Sequence, residues 1–310
     1  TPWFYAMARI YADFNDPSDQ AEVAAIQSKM EIVGLSDWGK ENPPRPAHPP
    51  VPDVGDLSEV LLETDVVSYI KKMVMSDPVS FWDIVNRAMT ANGVPDRDQR
   101  YLKDWAELHI GPDQDVSQAE DNEQAGLARA VFDGIMIMRA HATSEENKVN
   151  GWGVPPVGFG RSGVHGNFYI RGAIQSMRGI VANDAEEAMY MARAKDQNGD
   201  SITSKHTYEL HFPSGQTPPA RYFWSLTVYD QDANLMLNDY DRYAISGNSE
   251  DLIYEDDGSL RILIGGEPPE GMVGNWLPAG ESFTRVTLRV YGPEKAMIER
   301  TWKPPQLTRL

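Results

Sequence analysis

The stretch RYFWSLTVYD, residues 221–230, decides the fold class. Its period is two. Tyr222, Trp224, Leu226 and Val228 fall on one face of an extended chain, and Arg221, Phe223, Ser225, Thr227 and Tyr229 on the other. The run is aromatic and contains neither Gly nor Pro, so it reads as a strand. Rings on both faces predict a strand that is covered on both sides.

The same grammar recurs on either side of it. HTYELHF (206–212), SLRILIG (259–265) and FTRVTLRVYG (283–292) are short β-type runs. Asn198-Gly199 and Asp257-Gly258 are hairpin signals, because Asn, Asp and Gly reach positive φ at low cost. Short strands broken by such turns predict an antiparallel β-sandwich or jelly roll over 146–310. Asp184 and Glu187 form a capping-box pattern, which predicts a short helix over 184–194.

Upstream, residues 1–145 read as a helical region. A helix is expected over 18–32, with Ala21, Val23, Ile26, Met30 and Ile32 as its apolar positions. The segment ENPPRPAHPPVPDV (41–54) carries six prolines and reads as an extended connector. Asp56 and Glu59 make another capping box, followed by apolar positions from Leu57 to Val74 at helical spacing. Asp77-Pro78 predicts a helix start and Gly93 a stop. A further helix is expected over 97–109. The small residues and methionines of AGLARAVFDGIMIMRA (125–140) suit a buried face. The fold class is therefore α+β: a mainly antiparallel sandwich at the C-terminus and a helical N-terminal region.

Charge narrows the partners. The 310 residues include 46 acidic and 28 basic side chains, for a formal net charge of −18. Non-specific nucleic-acid binding rests on Lys and Arg, so a chain this acidic is a poor candidate for it. An anionic membrane surface is disfavoured for the same reason, and no apolar stretch approaches the ~20 residues of a membrane span. With no cysteine, disulfides, thiolate metal sites and cysteine nucleophiles are excluded.

Three constellations could carry chemistry. Asp196, Asn198 and Asp200 place oxygens at alternate positions of a tight loop, a weak Ca²⁺ candidate without the EF-hand Gly and Glu. A hairpin turn with solvated carboxylates explains the same residues. Tyr222, Phe223, Trp224, Tyr229, Tyr243 and Trp276, with arginines, could stack on a sugar or another flat ligand. Sandwich core explains each ring taken singly. Among six histidines, no pair has the HExxH spacing of a zinc protease. His165 lies in the glycine-rich segment GFGRSGVHGN (158–167), a loop where functional residues concentrate. The GxGxxG spacing within that segment follows two prolines rather than a strand, so a dinucleotide site is not expected.

An ordered series of motifs across the second half resembles a family. It comprises YIRGAIQSMRGIVANDAEEAMY (169–190), DQNGDSIT (196–203), YELHFPSGQTPPARYFWSLTVYD (208–230), DRYAIS (241–246), DDGSLRILI (256–264), NWLPAG (275–280), LRVYGP (288–293) and WKPP (302–305). These stretches are similar to the C-terminal domain of bacterial proteins that pair two domains of unknown function, numbered twelve-fifty-four and twelve-fourteen. The resemblance implies a jelly-roll type sandwich with helical additions and brings no established reaction. Arg171, Tyr190, Arg242 and Arg289 match its arginine and tyrosine positions. It places the family's N-terminal domain upstream of Thr1, so that a separate chain would have to supply that part.

Together these readings give an expectation. The protein binds or processes a carbohydrate or polar polymer, as a hydrolase or as a binder, outside the cytoplasm in the periplasm or after secretion. Its candidate catalytic residues are His165, Tyr190 and Arg171. Its candidate ligand-binding residues are Arg242, Tyr243, Trp224, Trp276 and Tyr229. The alternative is a non-catalytic assembly protein that forms homo-oligomers.

Overall fold

The computed structural model describes residues 7–10, 12–13, 16–42, 74, 76–96, 98–156, 159, 168–177, 182–231 and 234–310. Most of the proline-rich connector, the Asp56–Glu59 capping box and the glycine-rich segment with His165 lie outside the described residues. The chain divides into two compact units, Thr1–Asp133 and Gly134–Leu310. Six α-helices are described, and none is long and apolar enough to cross a membrane.

In the first unit, α1 (Pro17–Gln27) is capped by Asp16, whose Oδ1 accepts from the Ser18 N–H at 2.8 Å. It ends earlier than the apolar pattern suggests. The Ser28 hydroxyl donates to the Ala25 carbonyl at 2.9 Å, and the chain turns there. No α1 side chain is buried. Helix α2 (Pro78–Asn92) starts on the Asp77-Pro78 signal, and Gly93 closes it at φ 70°. Helix α3 (Gln99–Ala106) follows, and then α4 (Asp121–Thr143), whose residues from Gly134 on belong to the second unit. Ile110, Val116 and Leu127 form a small core with Val79, Trp82 and Met89. Asn86 sits within it, fully satisfied by bonds to the His109 and Gln114 carbonyls and the Gly111 N–H. The apolar run 125–140 buries Leu127 and Val131 but leaves Met136 and Ile137 exposed, so only part of it is a buried face.

The second unit holds α5 (Phe168–Met177), α6 (Lys295–Ile298) and ten strands. The strands are β1 (Lys148–Val149), β2 (Trp152–Gly153), β3 (Ala188–Arg193), β4 (Tyr208–Phe212) and β5 (Ala220–Tyr229), then β6 (Ala244–Ser246), β7 (Leu260–Ile264), β8 (Trp276–Leu277), β9 (Arg285–Pro293) and β10 (Leu307–Arg309). They form a six-stranded sheet in the order β1-β2-β3-β9-β5-β6 and a four-stranded sheet in the order β10-β4-β7-β8. All pairings are antiparallel except β7 with β8.

One buried cluster joins the two sheets. The larger sheet contributes Met189, Met191, Trp224, Leu226, Val228, Val286, Leu288 and Val290; the smaller contributes Tyr208, Leu210, Phe212, Leu260, Ile262 and Ile264. Each full burial of such a side chain is worth about 1.5–3 kcal/mol, which makes the period-two pattern decisive. The helix expected over 184–194 does not form. Asp184 accepts from the Glu187 and Ala188 N–H groups in a single turn, and residues 188–193 then pair with β9 from Ala188↔Tyr291 to Arg193↔Val286. Ala and Met favour helices in isolation, but burial of Met189 and Met191 against the opposite sheet overrides that preference.

Candidate functional site

The period-two alternation that sends Trp224, Leu226 and Val228 inward sends Phe223, Ser225, Thr227 and Tyr229 to the opposite face. On the neighbouring strand β9, Arg285, Thr287, Arg289 and Tyr291 share that face, and Tyr190 joins them from β3. Register places Arg289 between Tyr190 and Ser225, and Tyr229 opposite Arg285. Tyr222 does not follow the alternation. A register shift between Ala220 and Phe223 frees it to lie 62% exposed.

These side chains form one connected cluster. Arg289 donates to the Thr227 hydroxyl at 3.0 Å and also to the Tyr229 hydroxyl. Its guanidinium carbon lies 5.3 Å from the centroid of the Tyr229 ring and 5.8 Å from that of Tyr190. Arg285 approaches the same Tyr229 ring at 5.4 Å. The Tyr190 and Tyr291 hydroxyls are 3.2 Å apart, and Phe223 stacks on Tyr291 with centroids 4.5 Å apart. Cation–π contact of this kind contributes about 0.5–2 kcal/mol, more as water is excluded. The face thus offers aromatic planes, hydroxyl groups and two half-buried cations.

The charge balance sets this cluster apart. Arg242 pairs with Asp251 at 2.9 Å, and Arg261 with Glu255 at 3.0 Å and Glu209 at 3.3 Å. Arg193 and Arg300 donate to backbone carbonyls. Among the described residues, neither Arg285 nor Arg289 has a carboxylate partner, and the buried Arg285 Nε has no hydrogen-bond partner.

Of the residues singled out in the sequence, Tyr190 and Tyr229 meet here, joined by Arg289. Four others do not. Trp224 and Trp276 are 5% and 2% exposed and fill the interior, where Trp224 packs on Phe212 and the Trp276 indole N–H donates to the Gly265 carbonyl at 3.0 Å. Arg242 donates its Nε to the Trp276 carbonyl at 2.7 Å and another N–H to the Gly274 carbonyl, so it ties a loop to β8. Tyr243 stands beside Asp241; desolvation first, and then the Asp241 charge, push its hydroxyl above the ordinary tyrosine range. Arg171, on α5, donates to the Ala182 carbonyl at 3.1 Å and the Phe159 carbonyl at 3.4 Å.

The Asp196–Asp200 turn forms as the Asn-Gly signal implies, with Lys195 bridged to Ser201. Asp196 is buried. Its Oδ1 accepts from the Asn198 N–H at 2.8 Å and the Asp200 N–H at 3.0 Å, while Arg309 approaches both carboxylates. A guanidinium therefore stands where a cation bound by Asp196 and Asp200 would need to be. No group of three or more His, Cys, Asp or Glu side chains suited to a metal occurs among the described residues.

Phe223, from the aromatic set named in the sequence, also meets here, whereas Arg285 and Tyr291 carry the site but were not singled out as its members. Their signal lay in the alternation of FTRVTLRVYG, which puts Arg285, Thr287, Arg289 and Tyr291 on one face with no carboxylate among them.

Residues 187–295 match the family model described as "Protein of unknown function (DUF1214)". The C-terminal unit therefore carries a domain of this kind, and Tyr190, Tyr229, Arg285, Arg289 and Tyr291 all lie inside the match. The structure is similar to that of the VPA0106 protein from Vibrio parahaemolyticus, with a TM-score of 0.59 and 18% identity, over 95% of this chain and 66% of that one. The chain thus spans slightly less than two thirds of that protein's length, and the likeness concerns the fold alone. An uncharacterized protein from Burkholderia cenocepacia aligns with a TM-score of 0.33 and 13% identity, over 79% of this chain and 52% of that one. No curated protein matches the sequence.

Proposed function

We propose that the protein binds a carbohydrate or another polar polymer through the outer face of its six-stranded sheet. The observation that supports this reading is the cluster in which the rings of Tyr190 and Tyr229 flank Arg289, with Tyr291 meeting Tyr190 and stacked on Phe223. Tyrosine rings supply apolar planes for stacking on sugar rings, and their hydroxyls supply polar edges. The guanidinium supplies directional donors. The proposal is narrower than the one the sequence suggests: Trp224 and Trp276 hold the core, so the tyrosines carry the stacking.

Calorimetry against a panel of oligosaccharides tests it. Binding is expected for at least one glycan, with a loss of about tenfold in Tyr229→Ala, the scale of one stacking contact of roughly 1–1.5 kcal/mol. A panel with no binder, or a binder indifferent to Tyr229→Ala, sinks the proposal.

A further inference from the structure

We infer that the ligand of this face carries a carboxylate, held by Arg285 and Arg289; the inference rests on the binding reading above and adds its charge class. The chain has a net charge of −18, and acidic side chains outnumber basic ones by 46 to 28. Carboxylates are abundant in such a chain, and Arg242, Arg261 and Arg309 each pair with one. Arg285 and Arg289 share one face and one tyrosine ring, and no carboxylate of the described residues pairs with either. Two like charges beside one ring repel each other, and half-burial weakens their hydration.

Their donors are also left over. A guanidinium has five N–H groups. Arg289 spends its hydrogen bonds on Thr227 and Tyr229, which leaves N–H groups free for a ligand. Arg285 makes no hydrogen bond to the described residues, and its Nε is buried. An anion on this face would relieve the repulsion and occupy the donors together. Guanidinium geometry suits both carboxylate and phosphate. The −18 chain repels a dianion twice as strongly as a monoanion, which favours a singly charged carboxylate over phosphate.

The test is calorimetry of the full chain with methyl β-D-glucuronide, methyl β-D-glucoside, benzoate and inorganic phosphate, repeated on Arg285→Gln and Arg289→Gln. Circular dichroism checks that both variants are folded. Arg285→Gln breaks no hydrogen bond among the described residues, so it remains informative should Arg289→Gln unfold. The glucuronide is expected to bind about tenfold more tightly than the glucoside, the scale of one charge-assisted bond. Each Gln variant is expected to erase that preference, and added salt to weaken it. Equal binding of glucuronide and glucoside overturns the carboxylate and leaves the glycan reading standing. Benzoate binding lost in Arg285→Gln, with neither sugar bound, upholds the anion site and overturns the glycan reading. Phosphate tighter than the glucuronide overturns the carboxylate class. Absence of binding by all four probes overturns both readings.

Discussion

Arg309 on the last strand approaches Asp196 at 3.5 Å and so fastens the chain's end to the turn that follows β3. Burial opposes ionisation of Asp196. The N–H groups of Asn198, Asp200 and Gly199, together with the Arg309 charge, outweigh it and hold the carboxyl below its ordinary range. A depressed carboxyl pKa contributes stability above its unfolded value, about 3.9, and that stability is lost as pH falls through the folded value. Asp196→Asn keeps an acceptor for the turn but removes the charge. The variant is expected to melt below the wild type at pH 7, with the gap closing below about pH 4. An equal gap at pH 7 and pH 3 counts against this linkage.

Gly274 has no room for a side chain. A Cβ built there lies 1.8 Å from the Asp251 carbonyl oxygen and 2.6 Å from its carbonyl carbon, backbone atoms that cannot swing aside as a side-chain end can. Gly274→Ala should destabilise the unit by about 1–3 kcal/mol or more through overpacking. Gly199 has positive φ but open space around it, so Gly199→Asn, a residue that tolerates that conformation, should cost well under about 1 kcal/mol. Urea unfolding of the two variants measures the contrast.

Strands were legible in the sequence wherever burial on one face imposes period two. RYFWSLTVYD announces β5 and separates Trp224, Leu226 and Val228 from Phe223, Thr227 and Tyr229 before any coordinates. Depth was not legible. Trp276 and Tyr229 read as equal members of one aromatic set, yet one ring lies inside the sandwich and the other lies between two arginines on its outer face. Which face of a strand meets the second sheet depends on partners far along the chain. Residues 188–193 show the same limit, since a local capping pattern and helix-forming side chains lost to pairing with β9, about a hundred residues away. Arg289 was visible as a residue, but its lack of a carboxylate is a fact about space.

Arg242 and Trp276 act as structure. Three hydrogen bonds from Arg242 tie Trp276, Gly274 and Asp251 together. Arg242→Ala should cost about 2–3 kcal/mol, since it leaves partly buried acceptors unpaired. Trp276→Ala should cost about 3–5 kcal/mol by opening a core cavity. In calorimetry of the folded fraction, Arg242→Ala should leave ligand affinity unchanged. A loss of affinity without a loss of stability would return Arg242 to the binding surface.

Arg193 gives the sharpest test of backbone satisfaction. Only 5% exposed, it donates Nε to the Lys195 carbonyl at 2.5 Å, Nη1 to the Asn150 carbonyl at 2.5 Å and Nη2 to the Asp196 carbonyl at 2.8 Å. Burial lowers its pKa, the Asp196 charge opposes that, and the residue stays cationic because arginine starts so high. Gly151 makes room for it: a Cβ there would lie 2.7 Å from Nη1, at a backbone φ of 81°. Lysine carries one nitrogen where arginine carries three, so Arg193→Lys cannot reach three carbonyls at once. At least one buried acceptor goes unpaired, and the ammonium loses hydration that arginine needs less. Arg193→Lys is expected to destabilise the unit by about 1.5–3 kcal/mol. Gly151→Ala should act in the same direction by displacing the guanidinium. The double variant should fall short of the sum, because both changes break the same contacts. Additive losses in chemical denaturation would mean that Gly151 and Arg193 stabilise the hairpin independently.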